Sequence, residues 1–343
     1  MIRADASVSM GTGHVMRCLA LAQAWQDRGG AVVFATSSIT AALTHRLELE
    51  RITPVLLDTT AGNEQDAALV MNLARAHRAR WVVVDGYNFD DQYQSCLVQS
   101  GLNVLFIDDN VHCRHYSAQL VLNQNSHAVE DMYISREPYT RLLLGSLYVM
   151  LRREFAPWRN YKRETPAIAR NVLITMGGSD PNDLSSRVIR ALSQVAEDLD
   201  VTVAIGGSNP HRQSIERAAS QLRGRLRLIE NPSDLPALMA WAELAVVAGG
   251  GTLWELMYMG CPILSYSRNP EQKAIISLLS EKGALLHVGD AADVDAHKLV
   301  SALKSVMKSP CCRASMARRG QDRIDSKGSE RVCERLLLDS NCA

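Results

Sequence analysis

The sequence predicts an α/β protein built from two doubly wound, parallel-sheet domains in series, and three observations predict it. Short β-branched runs alternate with helix-length periodic stretches. That alternation is interrupted once, near mid-chain, by a polar stretch with two prolines and then restarts. The length, 343 residues, suits about two domains that each bury their own core.

In the first half, residues 31–35, 54–57, 81–85, 103–108 and 120–123 read as buried strands. Val15, Cys18, Leu19, Ala22 and Trp25 fall on one helical face that ends at Gly29 and Gly30. The stretch 156–170 (APWRNYKRETPAIAR) is the expected linker, leaving 1–155 as the N-terminal domain. The pattern resumes with strands at 171–176, 201–205, 226–229, 244–248 and 262–266, so 171–310 is the expected C-terminal domain. Residues 311–343 read as helices with a charged face, suited to packing back on the first domain.

Composition narrows the function classes. The 37 basic and 37 acidic residues cancel, so nothing draws the chain generally to nucleic acid or to an anionic membrane surface. Apolar runs such as 142–144 and 244–248 stop far short of the roughly 18 residues of a spanning helix. No charged leader with an apolar stretch follows Met1, which places the expected location in the cytoplasm. The eight cysteines include no Cys-x-x-Cys pair and read as free thiols. His112 and His115 lack a third ligand nearby in sequence and are not read as a metal site; no metal or cofactor is expected.

Ligands of open parallel sheets bind beyond the carboxyl ends of the strands, so the loops that follow strands carry the expected chemistry. Three are rich in glycine. Met10-Gly11-Thr12-Gly13-His14 runs into the helix that starts near Val15. Its glycines, Gly11 and Gly13, allow close backbone approach to a ligand. His14, at the positive end of a helix dipole, reads either as a general base or as a helix cap. Gly177-Gly178-Ser179-Asp180 offers backbone donors to a phosphate or forms a tight turn. Gly249-Gly250-Gly251-Thr252 opens a helix and presents amides and a hydroxyl suited to a diphosphate. It lacks the Gly-Lys-Ser/Thr of a P-loop and the spacing of a dinucleotide fingerprint. Glu255, one turn further on, suits a pair of ribose hydroxyls or a solvated helix face. Asp5, Asp85-Gly86-Tyr87 and Asp108-Asp109 also stand at strand ends. Neighbouring carboxylates on an extended chain point to opposite sides, so one of Asp108 and Asp109 is expected to cap its loop.

Taken in order, these residues resemble one family. Arg3-Ala-Asp5-Ala-Ser7 and Gly11-Thr-Gly13-His14-Val-Met-Arg17-Cys-Leu19 resemble the signature of UDP-2,4-diacetamido-2,4,6-trideoxy-β-L-altropyranose hydrolases of pseudaminic acid biosynthesis. Asp85-Gly-Tyr87, Asp108-Asp109, Leu122-Asn123-Gln-Asn125, Gly145 to Tyr148 and Leu151-Arg152-Arg-Glu154-Phe155 continue the match. So do Gly177-Gly178-Ser179-Asp180 and Gly249 to Thr252 with Glu255. The resemblance implies two Rossmann-like domains facing across a cleft, as in glycosyltransferases of the B type. It implies UDP in the C-terminal domain, with the Gly249 loop on the diphosphate and Glu255 on the ribose. It also implies hydrolysis at C1 with inversion and without metal, His14 deprotonating the water and Tyr87 helping to position it or the sugar. Gln272 carries over as a substrate contact; Glu271 stands where the family tends to have Asn, and an ionised carboxylate cannot donate the same hydrogen bond. The expected partner is the small-molecule UDP-sugar, and the protein is expected to be a monomer. A UDP-sugar glycosyltransferase and a non-catalytic UDP-sugar binding protein are the rival readings.

Overall fold

A computed structural model describes residues 1–7, 10–178, 180–195, 198–207 and 209–340. The chain divides into two compact units, one of Met1–Arg153 with the segment from Ser326 onward, the other of Glu154–Asp325.

The first unit is a seven-stranded sheet with helices on both faces. In chain order it contains β1 (Ile2–Ala4), α1 (Gly13–Gln26), β2 (Phe34–Thr36), α2 (Ala41–Leu49), β3 (Pro54–Leu56) and α3 (Glu64–Ala76). β4 (Trp81–Asp85), α4 (Asp91–Gln99), β5 (Asn103–Ile107), β6 (Leu120–Asn123) and β7 (Arg141–Leu144) follow. The strand order is β3-β2-β1-β4-β5-β6-β7, every described pairing parallel. Parallel strands covered on both faces bury every side chain, which is why Trp81 to Asp85 and Leu120 to Asn123 are buried throughout. Helix starts follow local chemistry: Asn63 and Asp90 accept backbone N–H groups of Asp66 and Tyr93 and so cap α3 and α4.

The second unit repeats the plan with six strands. It contains β8 (Asn171–Thr175), α5 (Leu184–Leu192), β9 (Leu199–Ile205), α6 (Arg212–Ala219), β10 (Gly224–Glu230) and α7 (Leu235–Trp241). β11 (Leu244–Ala248), α8 (Thr252–Tyr258), β12 (Ile263–Ser267), α9 (Pro270–Glu281), β13 (Leu286–Asp290), α10 (Ala296–Met307) and α11 (Pro310–Gln321) complete it. The order is β10-β9-β8-β11-β12-β13, again parallel. One core, from Ala169 to Met316, unites the strands with α5, α6 and α10. The two parallel-sheet α/β domains expected from the sequence are therefore present.

The unit boundaries sit elsewhere than the composition suggested. The stretch 156–170 lies within the second unit, where Arg163 donates to backbone carbonyls of Met239, Ala240, Ala242 and Met259. Of the chain after 311, α11 stays with α8 and α10 in the second unit. Only α12 (Gly328–Ser340) joins the first, placing Val332, Cys333 and Leu336 in the core beside α1. Among the described residues no helix is long and apolar enough to cross a membrane.

Candidate active site

Each sheet has one point where strand order reverses and the loops that follow its two central strands diverge, the place where such sheets bind ligands. In the first unit this lies between β1 and β4, in register at Ala4 and Asp85.

Here α1 projects three side chains onto one carboxylate. His14, in the first turn, is buried, and its Nδ1 lies 2.7 Å from Asp85 Oδ1. Arg17, one turn on and so on the same helix face, donates from Nε and Nη2 to the two Asp85 oxygens, 2.6 Å each. Cys18 points its Sγ at Asp85 Oδ2, 3.4 Å away. Arg17 Nη1 also donates to Asp109 Oδ2 at 2.6 Å. Tyr87, at the tip of the loop after β4, donates its hydroxyl to Asp109 Oδ1 at 3.1 Å. Its ring meets that of His14 edge-on, centroids 4.8 Å apart.

The electrostatics fix the protonation of the centre. Burial alone would raise the Asp85 pKa, but Arg17 and His14 outweigh it and hold the carboxyl well below its usual range. Nδ1 has two neighbours, the ionised Asp85 Oδ1 at 2.7 Å and Arg17 Nη2 at 3.1 Å; the shorter contact, to an oxygen that only accepts, favours a hydrogen on Nδ1, which in the neutral ring leaves the lone pair on Nε2. A ring held in this way can accept a proton at Nε2, the arrangement of a base oriented by a buried carboxylate. Burial and the nearby Asp109 charge push the Tyr87 phenol up, so it remains a hydrogen-bond donor at neutral pH.

The adjacent carboxylates diverge. Asp108 is buried and caps its own loop through the amides of Asn110, Val111 and His112. Asp109 turns instead to Arg17 and Tyr87. Asp5 belongs to a separate buried network: its Oδ1 accepts from Arg3 at 2.6 Å, Thr36 at 2.9 Å and the Ser37 amide at 2.7 Å. Arg3 in turn grips Asp66 with two nitrogens. Among the described residues no hydrogen bond joins Asp5 to His14, Asp85 or Tyr87, and the buried Asp5 Oδ2 has no partner. Gly11 has φ +84°, and among the described residues a Cβ at Gly11 or Gly13 would meet nothing within 4 Å, which leaves space beside the start of α1.

In the second unit the reversal lies between β8 and β11. Gly177 and Gly178 follow β8; Gly249, Gly250 and Gly251 follow β11 and lead into Thr252. Arg268, directly after β12, lies against both loops. Its Nη2 donates to the Gly249 carbonyl at 3.1 Å, and a Cβ at Gly177 or Gly250 would stand 3.6 or 3.7 Å from its guanidinium nitrogens. No carboxylate pairs with Arg268 at ion-pair distance among the described residues. Gln272 braces the arrangement, its Oε1 accepting the Arg268 amide at 3.1 Å and closing against Gly249, where a Cβ would sit 2.8 Å from it. Thr252 and Glu255 are half-buried on α8, and Glu271 is exposed in the first turn of α9. Asp180 accepts the amides of Leu184 and Ser185, so a side chain already occupies the start of α5. Ser179 lies outside the described residues.

Residues 170–305 match the family described as glycosyl transferases, group 1. The chain is 29% identical over 232 residues to the spore coat polysaccharide biosynthesis protein SpsG of Bacillus subtilis, a match covering 67% of each. It is 23% identical over 287 residues to the UDP-2,4-diacetamido-2,4,6-trideoxy-β-L-altropyranose hydrolase of Campylobacter jejuni, covering 82% of this chain and 96% of that one. The expected resemblance is borne out. The crystal structure of Acinetobacter baumannii MurG superposes with a TM-score of 0.72 at 16% identity, over 98% of this chain and 99% of that one. The fold is accordingly of the glycosyltransferase-B class.

Sequence reasoning placed His14, Tyr87 and the glycine loops at strand ends, where the structure has them. It gave no site role to Arg17, Asp109 or Arg268. His14 and Arg17 are three apart on a helix, a signal that was readable. Arg268 stands directly after a strand, as Tyr87 nearly does, but no local motif marks it.

Proposed function

We propose that the protein hydrolyses UDP-2,4-diacetamido-2,4,6-trideoxy-β-L-altropyranose to UDP and the free sugar, with inversion at C1, supplying pseudaminic acid synthesis. The observation that carries this reading is the His14–Asp85 contact, 2.7 Å from Nδ1 to Oδ1, which engages Nδ1 and leaves Nε2 for the role of base. The likeness to the named hydrolase along nearly its whole length supports it.

In this reading His14 Nε2 takes a proton from water as the water oxygen bonds to C1. The bond between C1 and the β-phosphate oxygen breaks, and its electron pair leaves with UDP. Asp85 stabilises the imidazolium that forms, as the carboxylate of a catalytic triad does. Tyr87 and Asp109 position the water and sugar, while Gly11 and Gly13 serve the sugar's polar groups; Asp5, buried with Arg3, Thr36 and Ser37, stays outside this contact. The Gly249 to Thr252 loop, with Gly177, Gly178 and Ser179, holds the diphosphate and Glu255 the ribose; Glu271 and Gln272 lie toward the sugar. Arg268 and the loop amides meet the charge that grows on the leaving diphosphate, a grip that asks for no metal, so EDTA should leave turnover unchanged in an assay of UDP release.

A glycosyltransferase reading is favoured by one observation, the match of residues 170–305 to group 1 glycosyl transferases. Both reactions use the same grip on the nucleotide and differ in what attacks C1. The deciding experiment incubates the protein with the UDP-linked diacetamido sugar, without metal or acceptor, and follows anomeric protons and UDP release by NMR beside a His14→Ala variant. Equal amounts of UDP and inverted free sugar, lost in the variant, are expected. Binding without release overturns hydrolysis and sends the search to acceptors.

A further inference from the structure

His112 is a residue that the proposed reaction does not use, yet its geometry is unusually constrained. It lies in the loop that follows β5, wound around the Asp108 carboxylate. Asp108 Oδ1 accepts from the amides of Asn110 at 3.0 Å and Val111 at 2.8 Å, and Oδ2 accepts from the His112 amide at 3.1 Å and the Tyr116 hydroxyl at 2.7 Å. Val111 has φ +55°, a left-handed conformation that a β-branched residue adopts only where its surroundings impose it.

The ring of His112 is held at both ends. Nδ1 lies 2.9 Å from Asp108 Oδ1, and Nε2 lies 2.9 Å from the Phe89 carbonyl oxygen. A carbonyl only accepts, and so does the ionised Asp108 carboxylate, so both ring nitrogens must carry hydrogen and the ring is an imidazolium. Burial opposes that charge, but the hydrogen bond to Asp108 outweighs it and the pKa is pushed up to about 11. Asp108, His112 and Cys113 offer the residue types of a metal site. A ring with both nitrogens protonated has no lone pair for a metal, and the cluster reads as a hydrogen-bonded knot.

The knot joins two functional loops. Phe89 belongs to the loop after β4, which carries Tyr87; Asp108 and His112 belong to the loop after β5, which carries Asp109. The same loops meet again where Tyr87 donates to Asp109. Tyr87 is half-exposed and its ring stands between two imidazoles, edge-on to His14 at 4.8 Å and to His112 at 5.9 Å.

We propose that His112 is a positioning residue: as an imidazolium bridging Asp108 and the Phe89 carbonyl, it clamps the two loops so that Tyr87 and Asp109 keep fixed places beside His14 and Arg17. Its effect on rate rests on the reading of His14 as the base; the clamp itself does not. The groups that face it are Asp108, Cys113, the Phe89 carbonyl and the rings of Tyr87 and Phe106.

The test has two arms. Nitrogen-15 spectra of the wild-type protein at pH 8 should show one histidine ring with both nitrogens protonated, and the signature should vanish in His112→Gln. A neutral-ring signature for His112 overturns the clamp, whether or not the protein turns over substrate. In the kinetic arm, His112→Gln should lower kcat about 100-fold, the scale of a misplaced reacting geometry. KM should stay within about twofold, because nucleotide binding is untouched. An unchanged kcat in a folded variant overturns the positioning role. Absence of turnover in the wild type defeats the base assignment instead, and the spectra still decide the clamp. They do so equally if the variant fails to fold.

Discussion

The two sheets reverse strand order at equivalent places, β1 beside β4 and β8 beside β11, and line those places with opposite chemistry. The first is crowded with paired charge: Asp85, Arg17, His14 and Asp109 are joined by contacts of 2.6 to 2.7 Å, with Asp85 fully buried. The second is glycine backbone with one guanidinium laid across it and no carboxylate paired to that charge among the described residues. A shared topology thus sets where a ligand goes, and the side chains decide what happens there. A saturated ionic cluster suits holding a proton in place, whereas an open glycine cradle beside a guanidinium with no ion-pair partner among the described residues suits an anion.

The sharpest way to break this contrast is to remove the base. His14→Ala should lower kcat about a thousandfold, within the range of general-base contributions, while UDP affinity measured by calorimetry is unchanged. A comparable loss of UDP affinity would erase the division of labour.

Next in size is Asp85→Asn, which strips the buried carboxylate from Arg17. Breaking such a pair costs about 3 kcal/mol, read as a lower denaturant midpoint for the first unit by hydrogen exchange, with the second unit unaffected. Arg268→Ala should do the converse, weakening UDP binding about tenfold, the worth of a charge-assisted hydrogen bond, at unchanged stability.

Acid should separate the units as well. Asp85 and Asp108 have depressed pKa values, so their stabilisation is complete above the unfolded value near 4 and is lost as pH falls below it. Asp180 is shifted the other way by burial, so acid relieves rather than removes a favourable term there. Hydrogen exchange below about pH 4 should therefore show the first unit opening before the second. His112 carries the opposite sign: its contribution is full below about 6.5 and is lost as pH rises toward about 11, loosening the loops after β4 and β5 in alkali. The smallest effect expected is that of Glu271→Asn, an exposed position, which should lower KM for the diacetamido sugar by no more than about threefold.

Much of the fold was legible because buried parallel strands are nearly continuous apolar runs. β4, β6 and β11 begin and end where the pattern places them. β7 and β13 were not foreseen: β7 opens on the exposed Arg141, and β13 carries His287 and Gly289, so neither shows a clean strand signal. The linker was misplaced for a related reason, since a polar, proline-containing stretch looks like a connector although Arg163 ties it to the second unit's backbone. In the site, glycines and strand-end residues were readable because backbone conformation and helix starts are local properties. Arg268 was not, because its importance comes from two loops that approach it from β8 and β11.

Local sequence was enough for the two-domain α/β plan and for the strand-end loops with the candidates His14, Tyr87 and the glycine runs, since periodicity, turn chemistry and helix starts are written over a few residues. The partners of those residues came from the way the chain folds. Arg17 meets Asp85 across 68 residues and Asp109 across 92, and His112 reaches the Phe89 carbonyl across 23. Those pairings follow from the order of strands in the sheet, which sets neighbouring loops side by side and which no local spacing encodes.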